Sequence, residues 1–516
     1  MTTPTWQPLL GTAYRNALLA NGDRPAVSCA GRTWTYADLA AKTGQASRSL
    51  SSAGVGRGDR VALMMRNKPD YFAWDIAIAL LGAVKVPFNT ALAAPQMDHM
   101  LAHAEVETIV ADPDLVETLW ANGTSDPALY VVLPAVIEPT GREAQVPEPV
   151  RGLDADDLSV IYYTGGTTGL AKGVAHSQRT VLTNLAAQAL EGEILSDDRM
   201  LLTTPLSHAA GLFAAAGLLR GAHLYVEESF SVPRVMELCA DEAITWTFAV
   251  PTMIYRLLDQ AQQSGAGPLM SLRTVVYGAA PMMPQRLREG LDLLGPVFIQ
   301  LYGQTECPNW GTRLSKDAHQ RGLLDERLLK SCGAAATLAE IRIIDPEGRE
   351  VPTGGVGEIC LRSPYTMLGY HKNPEATAAR LTDDGWLSTG DIGYVDPHGF
   401  VFLQDRNADM IISGGLNVYS TEVERALLES PAISQAAVIG IPDADWGEAV
   451  HALVVAKPGM VVDSLSVLAD CANKLAKYQV PKTVEVVDEL PTTPFGKIDK
   501  KLLREPHWGT GERQIN

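Results

Sequence analysis

Paired cysteines, a basic surface and an apolar run long enough for a bilayer are all missing from this 516-residue chain. Each absence excludes a class of function. The six cysteines, at 29, 239, 307, 332, 360 and 471, are scattered, with no CxxC pair and no Cys/His group at zinc spacing. That argues against a disulfide scaffold or a zinc module and predicts free thiols in a reducing cytoplasm. A net charge of −18 and a pI near 5.0 argue against a nucleic-acid or anionic-membrane partner. The opening MTTPTWQPLL has no basic segment followed by an apolar core, so no signal peptide is expected. Apolar runs at 76–84 and 214–219 are too short to span a membrane and read as buried helices. No internal repeat or low-complexity tail stands out.

What is present is an ordinary globular composition, 46% hydrophobic and 20% charged, on a chain too long for one core. Two or more domains are therefore expected. Residues 162–174 read YYTGGTTGLAKGV, entered from the β-branched and aromatic run 158–163, which predicts a strand delivering the chain into a loop. Gly165, Gly166 and Gly169 let the backbone approach an anion. Thr164, Thr167 and Thr168 offer hydroxyl donors, and Lys172 a compact positive charge. The combination points to a polyphosphate, although the spacing is not that of a Walker A loop. Alone, it also reads as a Gly/Thr surface turn.

Four further signals follow in order: LYGQTEC at 301–307, LSTGD at 387–391, DRNADMIISGG at 405–415 and PTTPFGK at 491–497. Any one could be a turn; together, over nearly the whole length from Trp34-Thr35-Tyr36 to Lys497, they resemble the adenylate-forming superfamily. That superfamily holds acyl-CoA synthetases, peptide-synthetase adenylation domains and beetle luciferases, and the chain looks most like bacterial acyl-CoA ligases. The resemblance implies that a carboxylate attacks the α-phosphate of ATP, giving acyl-adenylate and pyrophosphate, and that a thiol then displaces AMP. ATP, Mg2+ and coenzyme A are the implied cofactors. In a chain this acidic, ATP must meet local positive charge, which Lys172, Arg406 and Lys497 can supply.

Alternating strand and helix signals predict an α/β fold. Strands are expected at 61–65, 108–111, 130–133, 245–250, 274–277 and 297–302, and a helix at 71–83. After the glycine-rich loop, Val181, Leu185 and Ala189, with Leu182, Ala186 and Leu190, recur every four residues and predict a helix with one apolar face. A boundary is drawn at Asp405, after a hairpin-like 395–404. Residues 1–404 are expected to form a large N-terminal domain of βα-layered subdomains binding ATP and the acyl group. Residues 405–516 are expected to form a small, mobile α+β domain carrying the catalytic lysine.

The resemblance assigns roles residue by residue. Lys497, in a Pro/Gly-marked loop, would bridge carboxylate and α-phosphate, where negative charge builds. Thr305 and Glu306 look like the phosphate and magnesium contacts, Glu306 holding the metal beside Gly303 and Gln304. Tyr302 would stack or pack near the adenine, and the small turn Gly278-Ala279-Ala280 would lie against the base. Asp391 would accept the ribose hydroxyls, with Arg406 near the ribose or phosphates. Asp405 resembles the hinge, and Ser413-Gly414-Gly415 would line a pantetheine tunnel. Trp446-Gly447-Glu448 matches a family segment without a role that chemistry assigns. Gly165 and Ala171 stand where the family often has Ser and Pro; the lost hydroxyl costs about 0.5–1.5 kcal/mol. Asn407 and Ala408 replace positions that are often charged.

His208 matches a gating position, and 205–217 would line the acyl pocket. Ala209, Ala210 and Ala214 predict a roomy cavity, closed by Val250, Tyr255, Tyr277, Asn309 and Trp310. With no Lys or Arg among them, an aryl, cyclic or medium-chain acid is expected over a dicarboxylate. The same alanines read equally as helix packing. Three readings follow: an acyl-CoA ligase; an adenylating enzyme loading a carrier protein in trans, since no carrier domain is expected after 502–504; and a non-catalytic nucleotide binder or luciferase-like oxygenase. The expected partners are the small acid, ATP and CoA, without nucleic acid or membrane span; a homodimer is compatible with the sequence.

Overall fold

Helix caps and β-branched runs decide where the chain turns. The computed structural model describes residues 7, 9–123, 126–137, 146–164, 171–280, 282–406, 409–413, 416–443, 446–492 and 498–508. It divides into two compact units: Met1–Ile341 with Cys360–Ser388 and Gly399–Val401, and Arg342–Ile359 with Thr389–His398 and Phe402–Asn516. The architecture is α/β, as expected.

The first unit holds two large sheets. One has nine strands, and its central run Phe298–Gln304, Thr274–Tyr277, Trp246–Ala249, Arg199–Leu202, His223–Val226 and Pro25–Cys29 is parallel throughout. Parallel strands need cover on both faces. The helices Pro251–Ser264 and Pro284–Leu294 cover one face, over a core that includes Leu257, Leu258, Val275, Leu287 and Phe298. The other sheet has seven strands, in the order Gly369–Tyr370, Lys172–Ser177, Leu158–Thr164, Val84–Pro87, Arg60–Met64, Thr108–Ala111, Val131–Pro134. Its core joins Val86, Phe88 and Ile109 to Met97 and Leu101 of the helix Ala94–Ala104.

Local chemistry explains the element ends. Thr35 accepts from the Asp38 N–H while Asp38 takes the Thr35 N–H, a reciprocal cap opening the helix Tyr36–Ser52. Pro69 sits where a missing donor costs nothing and opens Pro69–Leu81, which Gly82 closes at φ +64.

The second unit has a five-stranded sheet built on the pair Ile433–Asp443 and Gly447–Ala456. Val423 and Leu427 of the helix Ser420–Leu428 and Val467 of Ser464–Lys474 pack into its core with Val438 and Val454. Most of a four-stranded sheet, including Leu387–Val395 and Val401–Arg406, also belongs to this unit.

Two expectations are corrected. Residues 172–174 are not loop: the strand Lys172–Ser177 begins there, pairing antiparallel with Leu158–Thr164 so that Thr164 faces Lys172. The helix Gln178–Glu191 does not bury the face carrying Ala186 and Leu190, both of which are exposed. It buries Val181, Asn184, Leu185 and Gln188, because the amides find partners inside. All six cysteines are free, and no helix among the described residues is long and apolar enough to cross a membrane.

Candidate active site

The parallel order of the nine-stranded sheet sends the carboxyl ends of adjacent strands to one edge, the place where open α/β sheets hold ligands. Several expected site residues leave the sheet there. Residues 203–208 follow Arg199–Leu202, Val250 follows Trp246–Ala249, Gly278 follows Thr274–Tyr277, and Thr305 follows Phe298–Gln304. Gly278 is required by the close approach of the next strand: a Cβ would lie 2.5 Å from Leu301 Cδ1 and 2.9 Å from its carbonyl oxygen. Ala279, at φ +68, and Ala280 then stand exposed.

The motif at 301–307 is a hairpin tip. Gln304 pairs with Cys307, leaving Thr305 and Glu306 as a two-residue connection into Cys307–Leu314. Tyr302 pairs with Thr312, and the ladder shifts register before Gln304. Gly303 sits there because a Cβ would meet the Asn309 backbone at 2.7 Å. The tip is tied to the seven-stranded sheet. His176 donates from Nε2 to the Thr305 carbonyl at 2.9 Å, and burial lowers its pKa to about 4, so the ring stays neutral with that proton in place. The Met367 N–H donates to the Glu306 carbonyl at 2.8 Å. Tyr370 donates its hydroxyl to Glu306 Oε1 at 2.7 Å, and Lys172 Nζ lies 5.1 Å from the centre of its ring. Burial first, and the Glu306 charge second, hold the Tyr370 hydroxyl well above its usual pKa, so it remains a donor. Lys172, Thr305 and Glu306, about 130 residues apart in sequence, are thus gathered in one place.

His208 precedes the helix Ala209–Arg220, and burial lowers its pKa to about 4. Ala209 beside it is half-buried, whereas Ala210 and Ala214 are covered by protein. Val250 and Asn309 are half-buried and Trp310 is fully buried. Trp310 packs edge-on against Phe213, and its indole N–H donates to Gln188 Oε1 at 2.6 Å. Asn309, at φ +64, donates to the same oxygen at 3.1 Å. Gln188 in turn donates to Asn184 Oδ1 at 2.9 Å, and Asn184 to the Pro308 carbonyl at 2.8 Å. Tyr255 accepts the Met283 N–H at 2.7 Å, and burial pushes its pKa up to about 12. Tyr277 is fully buried, in the same core against which Tyr255 packs. Its hydroxyl lies 2.9 Å from His319 Nε2.

In the second unit, Asp391 lies buried within Leu387–Val395, and its N–H donates to Thr389 Oγ1 at 3.1 Å. Asp405 and Arg406 end the strand Val401–Arg406. Gly165, Gly166, Thr167, Thr168, Gly169, Gly414, Gly415 and Lys497 lie outside the described residues. Sequence reasoning missed His176, Asn184, Gln188 and Tyr370. For Asn184 and Gln188 a signal existed: two amides four residues apart on an otherwise apolar stretch. Tyr370 carried none.

Comparison with known proteins gives matching results along the chain. A family described as AMP-binding enzyme matches residues 14–371, and one described as AMP-binding enzyme C-terminal domain matches 422–497. The medium/long-chain-fatty-acid–CoA ligase FadD8 of Mycobacterium tuberculosis is 33% identical over 97% of this chain and 90% of its own. A feruloyl-CoA synthase of an Amycolatopsis species is 37% identical, over 93% and 95%. The crystal structure of ATP-bound MatB from Rhodopseudomonas palustris superposes with a TM-score of 0.87 at 30% identity, over 96% of this chain and 98% of that one.

Proposed function

Because this chain belongs to the AMP-binding enzyme family, we propose that it is an AMP-forming acyl-CoA synthetase. It activates an aryl, cyclic or medium-chain carboxylic acid with ATP, releases pyrophosphate, and passes the acyl group to CoA with release of AMP. The observation that carries this reading is the meeting of Lys172 with the Thr305-Glu306 tip at the carboxyl edge of a parallel sheet. A cation and a carboxylate held in one place suit a magnesium-bound polyphosphate. The relatives named for fatty-acyl and feruloyl substrates support the acid–thiol chemistry.

Among the described residues no three His, Cys, Asp or Glu side chains gather as a metal cage. A cation at Glu306 would therefore be held by that carboxylate, nucleotide phosphates and water, a set that fits Mg2+. Bound there, it would neutralise phosphate charge. Lys172, Thr164, Thr167 and Thr168, with Gly165, Gly166 and Gly169, surround the phosphates in this reading. Gly278, Ala279, Ala280 and Tyr302 take the base, and Asp391 and Arg406 the ribose. His208, Ala209, Val250 and Asn309 border the acid. Residues 405–516 act as the mobile domain, Asp405 as its hinge and Gly414 and Gly415 as the pantetheine path. The setting is cytoplasmic.

Carboxylate-dependent pyrophosphate release, measured with and without CoA over fatty and aryl acids, tests the assignment. Turnover that needs CoA and leaves acyl-CoA supports it. Acyl-AMP left bound with CoA ignored would instead indicate loading of a carrier protein. Lys497→Ala should cut adenylation by orders of magnitude and spare thioester formation from supplied acyl-AMP; loss of neither half-reaction would overturn the role of that lysine.

A further inference from the structure

We infer that Tyr370 is a positioning residue for adenylation, holding Lys172 and Glu306 in register for the metal–nucleotide complex. The inference rests on the reading of those two residues given above. Tyr370 is buried, and its backbone is fixed on two sides. Gly369 and Tyr370 pair antiparallel with Ala175 and Val174, while the Tyr370 N–H donates to Thr377 Oγ1 at 2.9 Å. The flanking backbone binds both neighbours: the Leu368 N–H donates to Ala175 O at 2.8 Å, the His371 N–H to Gly173 O at 2.7 Å, and the Met367 N–H to Glu306 O at 2.8 Å. Residues 367–371 therefore bridge the strand bearing Lys172 and the hairpin tip bearing Glu306.

From that anchored position one side chain touches both charges. The ring takes the Lys172 ammonium at 5.1 Å, and the hydroxyl takes Glu306 Oε1 at 2.7 Å. A phenol has a single proton, so it engages one carboxylate oxygen and leaves the other free to face a hydrated cation. Such partners orient a ligating carboxylate, and their removal weakens metal binding by about tenfold or more. The two functions sit on different atoms of the residue, so they can be separated. Phenylalanine keeps the ring and deletes the hydroxyl; leucine deletes both.

The test uses the full-length protein with α,β-methylene-ATP and Mn2+, following free Mn2+ by its electron paramagnetic resonance signal. Nucleotide binding in EDTA is measured beside it. Tyr370→Phe should raise the Mn2+ midpoint about tenfold and leave analogue affinity in EDTA unchanged. Tyr370→Leu should weaken both. A Tyr370→Phe protein with the wild-type midpoint, beside a Glu306→Gln protein whose midpoint is raised, would overturn the inference and leave the proposed function standing. So would a lowered melting temperature with an unmoved midpoint, the mark of a purely structural tyrosine. A wild-type midpoint in Glu306→Gln would overturn the metal role of Glu306, and the inference with it.

Discussion

Replacing Gln188 by leucine tests how the wall around Asn309 and Trp310 is held. Gln188 is completely buried in the helix Gln178–Glu191, and its amide serves three partners at once. It accepts from Trp310 Nε1 at 2.6 Å and Asn309 Nδ2 at 3.1 Å, and donates to Asn184 Oδ1 at 2.9 Å. Leucine fills similar volume but strands the indole N–H and the Asn184 carbonyl oxygen away from water. Each such group costs about 1–3 kcal/mol, so the loss should be about 2–6 kcal/mol, with half-buried Asn309 adding less. Equilibrium unfolding in guanidinium chloride, followed by far-ultraviolet circular dichroism, measures it. The mechanism is isolated by a cycle with Trp310→Phe, which removes the stranded donor. Phenylalanine at 310 should cost about 1–3 kcal/mol less in the leucine background than in the wild type. A single-variant cost below about 1 kcal/mol, or strict additivity of the two changes, would refute the argument.

Other outcomes follow from the same geometry. Ala209→Phe, at a half-buried position beside His208, should lower kcat/KM for bulky aryl and cyclic acids by about tenfold or more and spare short acids; an unchanged preference would remove Ala209 from the pocket. His176, His208 and His319 are kept neutral by burial, each with a folded pKa of about 4 against 6.5 when exposed. Below pH 6.5 the unfolded chain therefore binds more protons, so stability is complete above that pH and drains away as pH falls toward 4. Each histidine should account for about 2 kcal/mol at pH 5. His319→Gln should flatten the fall of unfolding midpoint between pH 7 and 5, and a slope equal to wild type would contradict this.

Much of the framework was legible because it is local. The expected strands at 108–111 and 274–277 coincide with observed ones, since a run of β-branched residues favours extended backbone wherever the segment lies. The helix after the loop was also legible, but its buried face was not. Asn184 and Gln188 look like solvent-facing residues until Trp310 and Pro308, more than 120 positions away, supply their partners. LSTGD, readable as a turn, lies inside the nine-residue strand Leu387–Val395, because pairing with its sheet neighbours outweighs what Gly390 alone suggests. Tyr277 showed the same limit. Its place at the end of a predicted strand suggested a pocket wall, yet its hydroxyl lies against His319 Nε2 in the core.

The residues alone determined the chemistry on offer: an order of glycine-, carboxylate- and lysine-bearing motifs whose groups suit a polyphosphate and a carboxylate, wherever the fold might place them. They also determined the α/β class, since the period of apolar side chains is a property of the chain. Tertiary structure decided which groups meet. Pairing in the seven-stranded sheet and a hairpin at the end of the nine-stranded one set Tyr370 between Lys172 and Glu306, and His176 beneath Thr305. A hydrogen bond or a cation–π contact acts over a few ångströms of space and carries no trace of distance along the chain, so only folding could bring these partners together.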